Sequence, residues 1–504
     1  MKQSKKILVA LTGILLILPL LLLLAERRAG STTIRSYGDA IWYTFTTLTT
    51  VGYGDMVPVS TVGRMLGFFL LLLSLGVLAS FISLLVTFLS GSALPRWRLK
   101  HSGRKCLNIF LNFDSSAEYL AEQIVEKDPA SLVVFVCQKE TSSQPLDQRY
   151  VQMSASPSEI ADICHSEKIR IFQTDGIPEH AEELPGEVYC VTDLPREGKP
   201  ASLHFFNPRE CMARVFWKQK IFLTGNENIV IIGSGSLADS VLEWALLQNC
   251  IKPDQKITYH MFGDFSDFIN NHPNMGAYFS VNNREATGDC LIFHQKPWNA
   301  DPAVLRGADC IVFCDDEKQR NQKRSSDLKK YFFTRGKVFV YAENVPAEYS
   351  GFVSEKELYS PDQMIGEKQN KLARTMHALY QSRNGGPSWE EISDFQQRSN
   401  LAAADHVYMK LRILLGKDVT EPEPEDYQAA FQVYRSVDPA VREQYLELEH
   451  QRWMRFHLLH GWSYHEQRDN SSRQHPCLLP YHDLGREDQL KDEYSWKLLE
   501  LLGE

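Results

Sequence analysis

The sequence predicts a multidomain chain with two membrane-spanning helices, then two α/β units, then a mainly α-helical C-terminal part. Three observations lead to this fold class. Two long apolar stretches fall within the first 90 residues, although the mean hydropathy of the whole chain is negative. Two later segments repeat a strand–turn–helix plan, and a glycine-rich break, Asn384-Gly-Gly-Pro-Ser388, precedes the last quarter of the sequence.

Length, charge and cysteine content exclude several classes of protein. A chain of 504 residues is too long for a single hydrophobic core. The net charge of -9 and the absence of a long basic stripe argue against a nucleic-acid partner. The ten cysteines form no C-x-x-C pair, which favours a reducing compartment, and we expect no structural metal.

The first predicted span, Ile7 to Ala25, contains no charged residue, and the second runs from about Met65 to Leu89. The second is about 37 Å long at the usual helical rise, which is enough to cross a lipid bilayer. Positive charge flanks both outer ends of the pair, so we expect a multi-pass protein with cytoplasmic termini. These charges are Lys2, Lys5, Lys6, Arg96, Arg98, Lys100, Arg104 and Lys105.

The segment between the two spans contains a predicted short helix, Tyr37 to Thr49, followed by the run Thr-Val-Gly-Tyr-Gly at 50–54. Gly52 and Gly54 tolerate backbone angles that a residue with a Cβ resists, so successive carbonyl groups can point the same way. The Thr50 hydroxyl can add one more oxygen at the inner end of the run. Asp55 follows directly, where a carboxylate can attract cations.

This run resembles the selectivity filter of potassium channels, and the whole region is similar to two-helix bacterial potassium channels. The resemblance implies a homotetramer in the lipid bilayer of a bacterial inner membrane, with K⁺ as the permeant ion. It also implies that Trp42, Tyr43 and Asp55 support the filter. The implied filter residues are Thr50, Val51, Gly52, Tyr53 and Gly54, the first four of which would hold K⁺.

Two positions qualify this resemblance. Thr46 stands where many such channels carry a carboxylate behind the filter, so we expect a smaller hydrogen-bond network around Asp55. In this family a glycine near the middle of the second span lets the helix bend, which makes Gly76 the expected gating hinge. Close helix packing, as expected at Gly67, is the alternative for Gly76.

Two segments after the spans share one plan. The predicted strands Leu107–Leu111 and Asn228–Ile232 each lead through a turn into a helical pattern, and they begin about 120 residues apart. Short apolar strands alternating with helices predict parallel sheets covered on both faces, as in Rossmann-like folds. Further predicted strands are Val188–Val191, Leu203–Phe206, Ile311–Cys314 and Val338–Tyr341.

Placed after a channel pore, these units resemble RCK domains, the cytosolic regulators of potassium conductance. The resemblance implies a ring of eight units that pulls on the inner helices through a short linker. The expected domains are a pore at 1–90, a linker at 91–103, a degenerate first unit at 104–224, a second unit at 225–384 and a C-terminal domain at 387–504.

The turn of the second unit, Gly233-Ser-Gly-Ser-Leu-Ala238, can bring backbone close to a pyrophosphate at a helix N-terminus. Gly233, Gly235 and Ala238, with Asp264 for the ribose hydroxyls, therefore form a candidate nucleotide site. The alternative is a glycine turn that serves only tight strand–helix packing.

The corresponding turn of the first unit reads Phe113-Asp114-Ser115, and its bulky ring should exclude a dinucleotide. We therefore interpret the first unit as a scaffold. Residues 315–317, Asp-Asp-Glu, could bind a divalent cation, although a solvated acidic loop is the favoured interpretation.

The C-terminal part is predicted to be helical over Ser399–Leu415 and Val441–His460, with spaced aromatic residues after the second helix. This succession resembles the bacterial version of the domain repeated in ryanodine receptors (RyR). The resemblance implies a sensor domain, and an aromatic pocket for a nucleotide-like ligand is one reading. Burial of the same rings in the core is the alternative. The candidate pocket residues are His450, Trp453, Trp462 and Tyr464.

The function that these patterns favour is a ligand-gated potassium channel with a nucleotide-like small-molecule regulator. A pore-anchored enzyme that processes nucleotides is a second hypothesis. We interpret the chain as a non-enzyme, since the sequence contains no G-x-S-x-G, no H-E-x-x-H and no Walker lysine after its glycines. A third hypothesis is a channel gated by a protein partner that docks on the RyR-like domain.

Overall fold

The computed structural model describes residues 17–30, 33–90, 93–101, 106–136, 150–193, 200, 202–219, 223–283 and 288–504. It divides into two compact units. The first lies within Met1–Gly103 and includes Ile163–His165, and the second comprises Arg104–Asp162 and Ser166–Glu504.

The first unit is helical. Its helices are α1 (17–29), α2 (Tyr37–Leu48), α3 (Thr61–Ser90) and α4 (Ala93–Lys100). A capping box begins α2, because the Ser36 hydroxyl accepts from the Asp39 amide while the Asp39 carboxylate accepts from the Ser36 amide. Within the described ranges, no helix combines the length and the apolar character needed to cross a membrane. The first predicted span begins outside these ranges.

The first sheet of the second unit has six parallel strands, and its order β3-β2-β1-β4-β5-β6 is that of a Rossmann fold. The order reverses direction between β1 and β4, which forms the switch point where such folds bind ligands. The strands are β1 (Cys106–Phe110), β2 (Leu132–Val136), β3 (Val151–Met153), β4 (Lys168–Gln173), β5 (Glu187–Val191) and β6 (Leu203–Phe206).

The second sheet repeats this topology with seven parallel strands in the order β13-β12-β11-β7-β8-β10-β9. Its switch point lies between β7 and β11. The strands are β7 (Asn228–Ile232), β8 (Thr258–Phe262), β9 (Ser280–Val281), β10 (Cys290–His294), β11 (Cys310–Phe313), β12 (Lys337–Val340) and β13 (Ser350–Gly351). The predicted pair of Rossmann-like units is confirmed.

Helices cover both sheets and form the C-terminal part. Those among the strands are α5 (Ser115–Lys127), α6 (Pro157–Cys164), α7 (Pro208–Gln219), α8 (Ser236–Gln248), α9 (Ser266–Asn271), α10 (Pro302–Gly307) and α11 (Lys318–Tyr331). After the second sheet come α12 (Glu355–Leu358), α13 (Pro361–Met364), α14 (Lys371–Asn384), α15 (Asp394–Leu415), α16 (Pro424–Ser436), α17 (Pro439–Leu459), α18 (Arg486–Lys491) and α19 (Tyr494–Leu502). A two-stranded parallel ladder, β14 (Ser463–Tyr464) and β15 (Gln474–His475), follows α17.

One large hydrophobic cluster joins the two sheets to the C-terminal helices of the second unit, and smaller clusters lie beside it. Phe110 on β1, Trp244 on α8, Leu411 on α15 and Trp496 on α19 are all fully buried and belong to one contiguous cluster. The C-terminal helices therefore pack on the two sheets and share their core, although the Asn384–Ser388 segment separates them in sequence.

A buried carboxylate joins three of these helices. Asp405 on α15, only 2% exposed, accepts from the Arg214 guanidinium at 2.7 Å and from the Lys218 ammonium at 3.0 Å, both on α7. The side-chain amide of Gln248 on α8 donates to the same carboxylate at 3.1 Å. Burial alone would raise the pKa of Asp405, but the two cations outweigh it and lower that pKa.

Candidate functional site

The Thr50–Gly54 run has an alternating backbone. Thr50, Gly52 and Gly54 adopt left-handed φ angles of 59°, 52° and 73°, whereas Val51 and Tyr53 between them do not. Alternation of the two hands turns successive peptide groups to the same side, which is how a row of carbonyl oxygens is built. The positive φ at Thr50 is the costly one, because its side chain has a Cβ.

The C-terminal end of α2 holds the beginning of this run. The Thr46 carbonyl oxygen accepts from the Val51 and Gly52 amides at 3.0 Å each, and the Thr47 oxygen accepts from Thr50 at 3.1 Å. The last helical carbonyl groups, which otherwise lack partners, are satisfied by the run itself. The helix end and the start of the run are therefore one hydrogen-bonded structure.

An indole fixes the residue that follows the run. The Nε1 of Trp42 donates to Oδ2 of Asp55 at 2.9 Å, and its ring lies parallel to that of Tyr53 with centroids 5.9 Å apart. The Thr46 hydroxyl donates to its own helix, to the Tyr43 carbonyl at 3.1 Å. The Trp42 indole is thus a hydrogen-bond partner of the Asp55 carboxylate.

Tyr43 lies against α3. A Cβ placed on Gly67 would lie 2.4 Å from the Tyr43 hydroxyl, so this glycine is required for α2 and α3 to approach closely. A Cβ on Gly76 would meet no heavy atom of the described chain within 4 Å. Close packing within one chain therefore explains Gly67 but does not explain Gly76.

Glu26 is a residue of this region that the sequence analysis missed. It is fully buried, and its carboxylate accepts from the Val59 amide at 2.9 Å and from the Ser60 amide at 3.0 Å and hydroxyl at 2.6 Å. A Cβ on Gly63 would overlap this carboxylate, at 2.0 Å from Oε1. The available signal was a single acidic residue at the end of an apolar stretch.

In the second α/β unit, the Gly233–Ala238 turn lies at the switch point. A Cβ on Gly233 would be 2.7 Å from the backbone of Cys314 and Asp315, at the end of β11. Ala238 is fully buried beneath the turn. Both residues therefore serve close strand–helix packing, which was one of the two interpretations of this turn.

A carboxylate of the chain itself, that of Asp316, caps the N-terminus of α8. Oδ2 of Asp316 accepts from the Ser236 amide at 2.9 Å, and Oδ1 accepts from the Leu237 amide at 3.1 Å. Gly235, with φ of 93°, allows this approach, because a Cβ there would lie 2.2 Å from Oδ2. The Arg209 guanidinium stands behind the carboxylate, with Nε 3.5 Å from Oδ1. Asp316 thus occupies the place that a phosphate takes in nucleotide-binding Rossmann folds.

Two other acidic residues lie near this turn, Asp264 and Asp239. The Asp264 carboxylate accepts from the Ser266 amide at 3.1 Å and from its hydroxyl, which lowers the pKa of Asp264. Burial, followed by the charges of neighbouring acids, among them Asp267 and Asp316, raises the pKa of Asp239 to about 7. An incoming phosphate would therefore meet negative charge here.

The prediction of a solvated acidic loop at 315–317 was wrong for Asp315. This carboxylate is 2% exposed and forms ion pairs with Arg320 at 3.1 Å and Arg324 at 3.2 Å. In the part of the chain that the structure describes, no group of three or more His, Cys, Asp or Glu side chains could hold a metal ion.

The turn of the first α/β unit is closed by a carboxylate as well. Asp114 caps α5 by accepting from the Ala117 amide at 2.7 Å, and the Thr174 hydroxyl donates to it at 2.7 Å. The Phe113 ring is exposed and packs edge-on against Phe135. The carboxylate is therefore a second obstacle to a phosphate, beyond the bulk of the ring.

Three of the four candidate pocket residues of the RyR-like domain are neighbours, because Trp453 is stacked with His450 and packs against the cluster that contains Trp462. His450 and Trp453 line a cavity of about 560 Å³ beside α17. Trp462 is buried against Phe395, with ring centroids 5.3 Å apart. Tyr464 lies on the ladder strand β14, and 48% of it is exposed, so its placement in a pocket was wrong. Sequence spacing could not distinguish these environments.

Two protein families match parts of the chain. Residues 7–91 match the family described as "Ion channel", and residues 421–503 match the family described as "RyR domain". The second match begins later than the predicted domain start at 387.

Curated relatives align with the first part of the sequence. The "Calcium-gated potassium channel TvoK" of Thermoplasma volcanium is 29% identical over 129 residues, which are 26% of this chain and 37% of the relative. The "Potassium voltage-gated channel protein Shal" of Drosophila melanogaster is 46% identical over 43 residues, 8% of each chain. The chain therefore spans well under two thirds of the length of these relatives.

Among solved structures, "GsuK Channel" has a TM-score of 0.40 and 15% identity, covering 72% of this chain and 98% of that chain. "GsuK channel bound to NAD" has a TM-score of 0.39 and 12% identity, covering 76% of this chain and 85% of that chain. The predicted ion-channel and RyR-type regions are confirmed by the two family matches. The chain thus carries an ion-channel domain and a RyR domain, with two Rossmann-type α/β units in the second compact unit.

Proposed function

We propose that the chain is one subunit of a tetrameric, ligand-gated potassium channel of a bacterial inner membrane. The observation that carries the proposal is the alternating backbone of Thr50, Gly52 and Gly54 at the end of α2. Four such runs around one axis would form rings of carbonyl oxygens that replace the hydration shell of K⁺. The ion-channel family match over residues 7–91 and the alignments to potassium channels support this role.

In the proposed channel, the segments 7–25 and 65–89 cross the bilayer and both termini are cytoplasmic. Asp55, held by Trp42, stabilises the outer end of the filter. Gly76 is the proposed hinge of α3, because it lies near the middle of this 30-residue helix and glycine is a poor helix former.

The proposed regulator is a nucleotide-like small molecule. The second α/β unit is one candidate site, where a phosphate would have to displace Asp316 and could then pair with Arg209. The RyR domain is the other candidate. A ligand at either place opens or closes the pore only through its difference in affinity for the two states.

Ion flux through purified protein in liposomes tests the proposal, with a matched pair of glycine substitutions. Gly54→Ala places a Cβ at a left-handed residue of the filter, and we expect it to reduce K⁺ flux by about tenfold or more. Gly38→Ala, on α2, adds a Cβ at an ordinary 3.5 Å contact and should leave the flux unchanged. Equal passage of Na⁺ and K⁺, or a monomer in lipid, would refute the proposal.

A further inference from the structure

A cavity beside α17, in the C-terminal part, is not explained by the preceding description. Its volume of about 560 Å³ is in the usual range for sites that bind small molecules. Residues of α14, α15 and α17 line it, together with the segment that follows β15. All of these elements belong to the second compact unit.

Aromatic rings form one continuous wall of this cavity. The ring of Trp453 lies 4.0 Å from that of His457 and 4.9 Å from that of His475, between centroids. The Phe395 ring lies 5.5 Å from that of His457. A wall of this kind favours a flat ring, since nucleobases stack on aromatic side chains.

The hydrogen bonds of the two histidines fix their tautomers. The Cys477 amide donates to Nδ1 of His475 at 3.1 Å, so the proton of the neutral ring is on Nε2. The Nδ1 of His457 lies 2.9 Å from the Trp453 carbonyl oxygen, so it carries the proton and Nε2 keeps its lone pair. Neither Nε2 atom has a hydrogen-bond partner among the described residues.

The two histidine rings of this wall carry no charge. Burial lowers the pKa of His457 to about 3 and that of His475 to about 4, so both rings are uncharged at neutral pH. Of the charged side chains that line the cavity, Arg452 pairs with Glu449 at 2.6 Å and Lys491 with Asp488 at 2.6 Å. Arg468 donates to the Asn470 side chain and places a positive charge near His475. The two imidazole rings, with centroids 6.2 Å apart, offer one donor and one acceptor, and the polar side chains of Gln396, Asn400 and Ser495 also line the cavity.

This pattern disfavours a metal ion. A metal needs a lone pair from each imidazole, but the proton on Nε2 of His475 is held there by the bond that Nδ1 accepts. A neutral heterocycle needs no change of tautomer. The donor and acceptor can both be used by a ligand whose edge presents the complementary pair.

We propose that this cavity binds a nucleobase against the aromatic wall, with the edge of the base donating to His457 and accepting from His475. The proposal deepens the sensor role suggested above for the RyR domain, on which it rests. Nucleobases fit because their edges place a donor beside an acceptor. The expected ligand is therefore a nucleotide that the cavity recognises through its base.

Calorimetric titration of the purified full-length protein in detergent tests this inference, with AMP, GMP and CMP as probes. At least one should bind, and ribose 5-phosphate, which lacks the base, should bind at least about tenfold more weakly. His457→Phe and His475→Phe keep a ring but remove one hydrogen bond each, and each should weaken binding about tenfold. His465→Phe, at an exposed histidine outside the cavity, is the matched control and should bind as the wild type does.

A ligand-side comparison keeps the test valid if a variant fails to fold. Purine riboside 5′-monophosphate has the purine rings without exocyclic groups, and it should bind about tenfold more weakly than the preferred purine nucleotide. Absence of binding by all three probes, or binding that both histidine variants leave unchanged, would overturn the inference. Because no ion flow is measured, K⁺ flux of the same preparation judges the channel proposal separately.

Discussion

The Asp316 carboxylate lies 2.9 Å from the backbone nitrogen of Ser236, although 80 residues separate the two in sequence. The same carboxylate accepts from the next amide of α8, so the first two amides of that helix end face one acid. A helix N-terminus attracts anions, and here the anion belongs to the protein. Any phosphate that binds at this turn has to compete with Asp316.

Removal of this carboxylate should expose the anion site. We expect Asp316→Ala to raise the affinity of the full-length protein for inorganic pyrophosphate about three- to tenfold, as an anion at a helix N-terminus is worth about 0.3–2 kcal/mol. Calorimetric titration measures this effect. Glu317→Ala is the control, since the Glu317 side chain is 65% exposed and pairs only with Arg320 in the described contacts. Equal or weaker binding by Asp316→Ala would show that the turn does not take phosphate.

The buried Asp405 should be essential for stability. Asp405→Asn removes the carboxylate that pairs with Arg214 and Lys218 in the interior and leaves Arg214 only the more distant Glu210 at 4.0 Å, which costs about 3–5 kcal/mol. We expect a clear fall in the thermal midpoint of unfolding, followed by differential scanning fluorimetry. Glu421→Gln removes a carboxylate from an exposed pair with Lys368 and should change the midpoint very little. Similar midpoints for the two variants would contradict this account.

Stability should fall in acid through Glu243. Burial raises the pKa of this carboxyl, but Arg398 at 2.8 Å, with His272 and His460, outweighs burial and lowers the pKa to about 2. A lowered pKa contributes stability that is complete above about pH 4.5 and is lost as the pH falls toward 2. The thermal midpoint should therefore drop steeply across this range.

The Glu243→Gln variant should be less stable than the wild type at pH 7 and should lose less stability between pH 4.5 and pH 2. The exposed Glu421→Gln variant should keep the steep slope of the wild type. A variant at Glu243 with the wild-type slope would assign the acid sensitivity to other groups.

The two glycines of α3 should respond differently to alanine. Gly67→Ala meets the Tyr43 hydroxyl and should destabilise the assembled protein, whereas the double variant with Tyr43→Phe removes the obstructing oxygen and should recover. Gly76→Ala should assemble normally but shift the open probability in single-channel recordings, since it stiffens the proposed hinge. Normal gating by Gly76→Ala would remove the hinge from the proposal.

The sequence was informative about local structure. Runs of apolar residues bounded by turn residues predicted the strands Asn228–Ile232 and Leu203–Phe206 with the bounds that the structure has. The helix before the filter was predicted one residue too long at its end. These features depend on residues that are neighbours in the chain, so a local pattern is enough to find them.

Partners that are distant in sequence were not predicted. Glu26 meets Ser60 across 34 positions, and nothing in either neighbourhood indicates the pair. The pocket prediction failed at Tyr464 for the same reason, because the number of aromatic residues does not tell which ring is buried. The shared core was also missed, since the break at Asn384–Ser388 has the composition of a boundary between independent domains.

The position of Asp405 has a consequence for chains that lack the C-terminal helices. Without Asp405, Arg214 and Lys218, one turn apart on α7, would lose the carboxylate with which both form ion pairs. The C-terminal helices therefore cannot be removed or replaced unless these two residues of α7 change as well. We therefore expect relatives that have similar C-terminal helices to carry two basic residues, four positions apart, on the helix that corresponds to α7.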